Sequence, residues 1–149
     1  MDASFLIQML GLAPLPEEGG YFRETYRSEH STAILYLLDE HSVSRFHRLA
    51  HDEIWHFHLG GPVELWRLCR ETGTSEMVVL GPDIGAGQLP QALVRAGTWQ
   101  GARLVRGAGF ALLSCTVSPP YTAAIRQMAS REELLRAFPD CRDVVWELT

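Results

Sequence analysis

The stretch Ser44-Arg45-Phe46-His47-Arg48-Leu49-Ala50-His51-Asp52-Glu53-Ile54-Trp55-His56-Phe57-His58-Leu59-Gly60, SRFHRLAHDEIWHFHLG, holds four of the six histidines of the chain beside a glutamate and a tryptophan. Its period is two, and the short polar connector Ala50-His51-Asp52 divides it into two consecutive strands. In regular strands successive side chains point to opposite faces. On the first strand His47 and Leu49 then share a face with Val43 and Arg45. On the second, Glu53, Trp55 and Phe57 face one way and Ile54, His56 and His58 the other. Four histidines in one stretch therefore do not converge. What can converge is His47 with Glu53, on a wall that also carries Trp55, while His56 and His58 serve packing or hydrogen bonding outside. A bulge in EIWHFH would return His58 to the interior.

The same period runs outward in both directions. Strands are expected at 21–27, 33–38, 43–49, 53–59, 63–69, 76–80, 92–94, 99–105 and 110–117, with connectors such as Gly60-Gly61-Pro62, Gly81-Pro82-Asp83 and Arg106-Gly107-Ala108-Gly109 carrying turn chemistry. Helical punctuation is confined to the ends. Asp2 caps a run with Phe5, Leu6, Met9 and Leu10 on one face and Gly11 as its stop, and Ser130-Arg131-Glu132-Glu133 is a capping box closed by Pro139. Many short strands without a crossover helix predict an all-β antiparallel sandwich or barrel with short N- and C-terminal helices, a single domain over 1–149.

Composition sets the outer limits. The 149 residues, 46% hydrophobic and 21% charged, suit one soluble domain that needs no staples. A formal net charge of −5 offers no basic surface to a phosphate backbone, so no nucleic-acid partner is expected. No apolar run reaches the roughly 18 residues of a membrane span, and MDASFLIQMLGL lacks the basic start and cleavage site of a signal peptide. Cys69, Cys115 and Cys141 are odd in number and widely spaced, which suggests neither disulfides nor a zinc pair, and points to a reducing cytoplasm.

Glu53 followed by six residues and Gly60 resembles the second half of the first cupin motif, HxH(x)3–4E(x)6G, with His47 at the first histidine and Leu49 where the second belongs. The second motif, PxG(x)2H(x)3N, is similar to the stretch from Arg95: Gly97 matches, while Arg95, Gln100 and Leu104 stand in place of proline, histidine and asparagine. Together with LPEEGGYFRETYRS at 15–28, AGTWQGARL at 96–104, SCTVSPPYT and SREELLRAFPD, the chain resembles, over nearly its whole length, the small single-domain Cupin_5 family of unknown function among the RmlC-like cupins. That resemblance implies a jelly-roll barrel and a homodimer. The strand AILYLL, apolar on both faces, supports the dimer because its outer side also needs cover.

In metal-binding cupins three histidines and a glutamate hold a divalent transition metal. This chain keeps His47 and Glu53. Leu49 has no lone pair and Gln100 offers an amide oxygen, so His47, Glu53 and Gln100 are the ligands if a metal binds, and no tightly held cofactor is expected. Without metal, His47 beside the Glu53 carboxylate makes an oriented general base. Gln100 would address a substrate carbonyl, Trp55 or Tyr121 would supply a stacking wall, and one of Arg23 and Glu24 would line the cavity, with Arg23 the candidate ligand contact. The expected functions are, in order, a small-molecule enzyme of the isomerase or epimerase type, a non-catalytic binding cupin, and a metal-dependent oxygenase. His51 reads as a surface turn residue and Cys115 as a buried small residue.

Overall fold

The computed structural model describes residues 1–149. Eleven strands are present: β1 (Ala13–Pro14), β2 (Tyr21–Arg27), β3 (Thr32–Asp39), β4 (Val43–Leu49), β5 (Asp52–Gly60), β6 (Val63–Cys69), β7 (Thr74–Leu80), β8 (Gln91–Val94), β9 (Trp99–Leu104), β10 (Phe110–Ser118) and β11 (Arg126–Met128). They form two antiparallel sheets, in the orders β1-β2-β3-β10-β5-β8 and β11-β4-β9-β6-β7. The family resemblance implies a closed jelly-roll barrel. The two sheets instead face each other as separate ladders, and a single isolated bridge between Leu80 and Leu89 joins the β7 edge to the segment entering β8.

Each sheet buries its inner face against the other and part of its outer face beneath a helix, the usual solution for layers with apolar faces. Between the sheets lie Tyr36, Leu38, Trp55, Val63, Leu65, Leu113 and Cys115, with Tyr36 and Trp55 meeting edge to face, ring centroids 5.6 Å apart. Helix α1 (Ala3–Leu10) is capped by the Asp2 carboxylate and stopped by left-handed Gly11, as the sequence predicts. Its Leu6 packs with Leu12, Leu37 and Leu112 outside the first sheet. The apolar outer side of β3, which suggested a partner subunit, is thus covered in part by the chain's own helix.

On the outer side of the second sheet, α2 (Arg131–Ala137), capped by Ser130, and α3 (Arg142–Glu147) cover Phe46, Leu68 and Trp99 with Leu134, Phe138, Val145 and Leu148. Full burial of each such side chain contributes about 1.5–3 kcal/mol. No helix is long and apolar enough to cross a membrane.

The sequence-derived face assignment for β4 is corrected by a bulge. Ser44 pairs with Ala102 and His47 with Gln100, so Arg45 and Phe46 together oppose Gly101. The extra residue reverses the alternation. Ser44, His47 and Leu49 are buried, Arg45 is exposed, and Val43 packs with the outer cluster rather than on the His47 face. Phe46 turns outward over Gly101, where an added Cβ would stand 3.0 Å from the Phe46 ring.

Candidate functional site

A cavity of about 330 Å³ opens between the sheets, lined by Phe22, Glu24 and Arg27 of β2, Thr32 and Ile34 of β3, His47 and Leu49 of β4, Glu53 of β5, Cys115 and Val117 of β10, and the connecting residues Leu15, Glu18 and Tyr121–Ala123. His47, by way of the β4 bulge, and Glu53 both face it. Both are nearly inaccessible, 1% and 7% exposed.

The β4 bulge orients the histidine. The Arg45 carbonyl lies 2.7 Å from His47 Nδ1. A carbonyl only accepts, so Nδ1 carries the proton, and Nε2 faces the carboxylate of Glu18 at 3.4 Å. The amide of the same Arg45 donates to the Glu18 carbonyl at 2.7 Å. One extra residue in a strand thus sets both members of the pair.

Glu18 is held by the connection from β1 to β2, which the sequence marks only by its glycine doublet. Glu17, Gly19 and Gly20 have φ of 66°, 98° and 75°. An added Cβ on Gly19 would lie 2.2 Å from the Val43 carbonyl oxygen, and on Gly20 2.6 Å from the Tyr36 hydroxyl, so neither position accepts a side chain. The Tyr36 hydroxyl donates to the Gly19 carbonyl at 2.6 Å. Arg126 of β11 closes the loop from the far side, its guanidinium 2.9 Å from Glu17 Oε2 and 3.4 Å from Glu18 Oε2.

Burial, and then the charge of Glu18, push the Glu53 carboxyl up to about 8, against a smaller opposing pull from Gln100 and Trp55. Burial likewise pushes the Tyr121 phenol and the Cys115 thiol up. At neutral pH the cavity therefore presents a carboxylic acid at Glu53 and a neutral thiol at Cys115.

Three expected ligand contacts are placed elsewhere. Arg23 is exposed on the outer face of β2 beside Gly11. Glu24 faces the cavity instead, on the same side as Phe22 by regular alternation, and a register shift at Thr25 adds Arg27 to that side. Trp55 does not line the cavity; its indole Nε1 donates to Gln100 Oε1 at 2.7 Å, in the core. Gln100 pairs beside His47 on the adjacent strand rather than standing opposite it. Tyr121 does line the cavity, its amide donating to Thr32 Oγ1 at 2.9 Å. His51 lies on the β4–β5 turn against the Pro119 carbonyl.

The donor set does not fit the four-ligand cupin metal site. Leu49 fills the second histidine position, and the Gln100 oxygen already accepts the indole proton of Trp55. No group of three or more histidine, cysteine, aspartate and glutamate side chains is gathered to hold an ion.

Two facing antiparallel sheets with a cavity between them define a cupin-type domain. The chain belongs to the family Cupin_5, described as Cupin superfamily (DUF985), whose model matches residues 4–129. Solved structures agree. A protein from Shewanella oneidensis superposes with a TM-score of 0.92 at 36% identity, covering 100% of this chain and 98% of its own. A hypothetical protein from Leishmania major gives 0.92 at 28% identity, covering 100% and 99%. Oxalate decarboxylase from Bacillus subtilis gives 0.63 at 14% identity, over 93% of this chain and 37% of the decarboxylase, a likeness of fold alone. No curated protein matches the sequence.

Proposed function

We propose that the cavity is the mouth of an opened jelly-roll and carries out metal-independent proton transfer on a small molecule, as in an isomerase or epimerase. The observation behind this reading is the His47 ring, its Nδ1 proton given to the Arg45 carbonyl and its Nε2 lone pair turned into a cavity that also holds a protonated Glu53. His47 Nε2 takes a proton from a carbon next to a carbonyl, and the imidazolium that forms is stabilised by Glu18 at 3.4 Å. The Glu53 carboxyl donates a hydrogen bond to the carbonyl oxygen as charge builds there. Return of the proton to the opposite face of that carbon completes an epimerisation, and its delivery to the former carbonyl carbon, as the neighbouring hydroxyl gives up its proton to the old carbonyl oxygen, completes an isomerisation; no redox partner enters.

The test is exchange. Aldoses and uncharged ketones in D2O, followed by proton NMR, are expected to lose signal at the carbon next to the carbonyl with wild-type protein and not with His47→Gln. Saturable binding without exchange, or exchange unchanged in His47→Gln, would make the protein a binding cupin instead. Elemental analysis after purification without chelators is expected to give well under one transition metal per chain. One tightly held ion per chain would remove the metal-free mechanism.

A further inference from the structure

The cavity wall carries more acidic than basic groups. Glu18, Glu24 and Glu53 line it against Arg27 and His47. Arg27 is fully engaged: Nε and Nη2 donate to Glu24 at 2.8 and 2.7 Å, and Nη1 donates to the Tyr121 carbonyl. Arg126, behind the wall, is spent on Glu17 and Glu18. His47 Nε2 is turned to Glu18. Glu53, 7% exposed, therefore borders the cavity with no cation of the protein paired to it. An entering carboxylate or phosphate would meet the Glu18 carboxylate and no unpaired guanidinium, so its charge would go uncompensated. An entering ammonium would meet the Glu18 carboxylate and by its own charge favour release of the Glu53 proton to solvent, so that two opposite charges face it in a site of low dielectric. The remaining wall, Leu15, Phe22, Ile34, Leu49 and Val117, suits an apolar body.

Resting on the reading of this cavity as the ligand site, we propose that it selects a small organic cation, a primary amine on an apolar body, and rejects carboxylates and phosphates. The experiment uses three probes of one shape, 3-phenylpropylamine, 3-phenylpropan-1-ol and 3-phenylpropionate, titrated into isotopically labelled whole protein at neutral pH and followed by amide NMR shifts. The amine is expected to bind about tenfold or more tighter than the alcohol, a ratio equal to about 1.4 kcal/mol, with shifts concentrated at Thr32, Leu49 and Val117. The carboxylate is expected to cause none. Glu53→Gln and Glu18→Gln should each shrink the amine-to-alcohol ratio to about threefold or less while leaving alcohol binding in place, as expected when one partly buried ion pair is removed. Equal binding of amine and alcohol, tighter binding of the carboxylate, shifts elsewhere on the surface, or no saturation by any probe would overturn the proposal. Deuterium exchange is a separate readout: its failure with amine selection intact removes the catalytic role alone, whereas indifference to the amine with exchange intact removes the charge selection alone.

Discussion

His47 and the pair His56 and His58 lie within twelve residues of each other on adjoining strands of the chain, yet they occupy opposite chemical settings. His47 is buried between the sheets with one ring nitrogen fixed and the other directed at Glu18. His56 and His58 lie on the outer face of β5, where Nε2 of each meets a hydroxyl of β10, Thr116 at 3.0 Å and Ser114 at 2.8 Å. Burial and the neighbouring His58 hold His56 below the usual imidazole range, so it is neutral and satisfied. The lesson is that residue type says little until the face is known. The same imidazole is a poised base where its open nitrogen meets a cavity carboxylate, and a structural hydrogen bonder where a serine or threonine answers it.

The largest contrast should come from removing the rings. His47→Ala is expected to slow deuterium exchange by about 10²–10⁴-fold, the usual worth of a positioned general base, while His56→Ala stays within about twofold of wild type by the same NMR readout. Equal losses would erase the distinction between the faces.

Next in size is the pH dependence of stability. Folded Glu53 keeps its proton up to about 8, whereas in the unfolded chain it titrates near the ordinary glutamate value of 4.5. The folded state therefore binds more protons between these values, and the contribution of this group, complete below the lower value, is lost as pH rises toward the upper one. Glu53→Gln removes that penalty. Denaturant titration should show the variant more stable than wild type by on the order of 2–4 kcal/mol near pH 9, and close to wild type near pH 4, since each tenfold change in proton affinity corresponds to about 1.4 kcal/mol.

A smaller loss is expected for Trp55→Phe, which leaves the buried Gln100 oxygen without its donor. Calorimetry should show about 1–3 kcal/mol of destabilisation. The smallest effects belong to the outer face: His56→Ala should cost about 1 kcal/mol and the exposed His58→Ala about 0.5 kcal/mol or less in the same measurement.

Strand alternation and turn residues make most of the fold legible. All nine expected strands are present, with ends within two residues, because each is long enough to show its period. β1 and β11 escape such a reading, since two or three residues carry no period and both exist by pairing at sheet edges. Helix α3 escapes it as well; it has no side-chain cap, and its residues are ordered by packing on α2 and the sheet.

In the site, His47 and Glu53 can be singled out by parity and motif, but the reason assigned to the His47 face is incomplete. Regular alternation groups it with Val43 and Arg45, and only the bulge, a product of pairing with β9, separates them. The bulge at Phe57-His58-Leu59 against Leu112 and Leu113 is the one anticipated as a risk to His58. It occurs, and His58 still faces outward to Ser114, since the added residue is His58 itself. Alternation sets Arg23 and Glu24 on opposite faces without saying which one is inside, and the shift at Thr25 then brings Arg27 to the side of Glu24, which no regular period would do. Glu18 goes unmarked in the sequence because its position depends on loop conformation and on contacts with Tyr36, Arg45 and Arg126, partners far away along the chain.

The two-against-one pairing at Arg45-Phe46 and Gly101 also gives the protein a reading frame for geometry. Upstream of it Val43 and Phe46 belong to the outer, helix-covered layer; downstream His47 and Leu49 belong to the cavity. Deleting one residue at 45 or 46 would restore a regular ladder with the histidine three positions from Val43 and still on the cavity side, whereas a regular four-step run from Val43 would turn the imidazole out toward α2 and α3. A lineage that gains or loses this single codon therefore keeps the site on the same face, the irregular pair absorbing a change that would otherwise reverse every side chain beyond it.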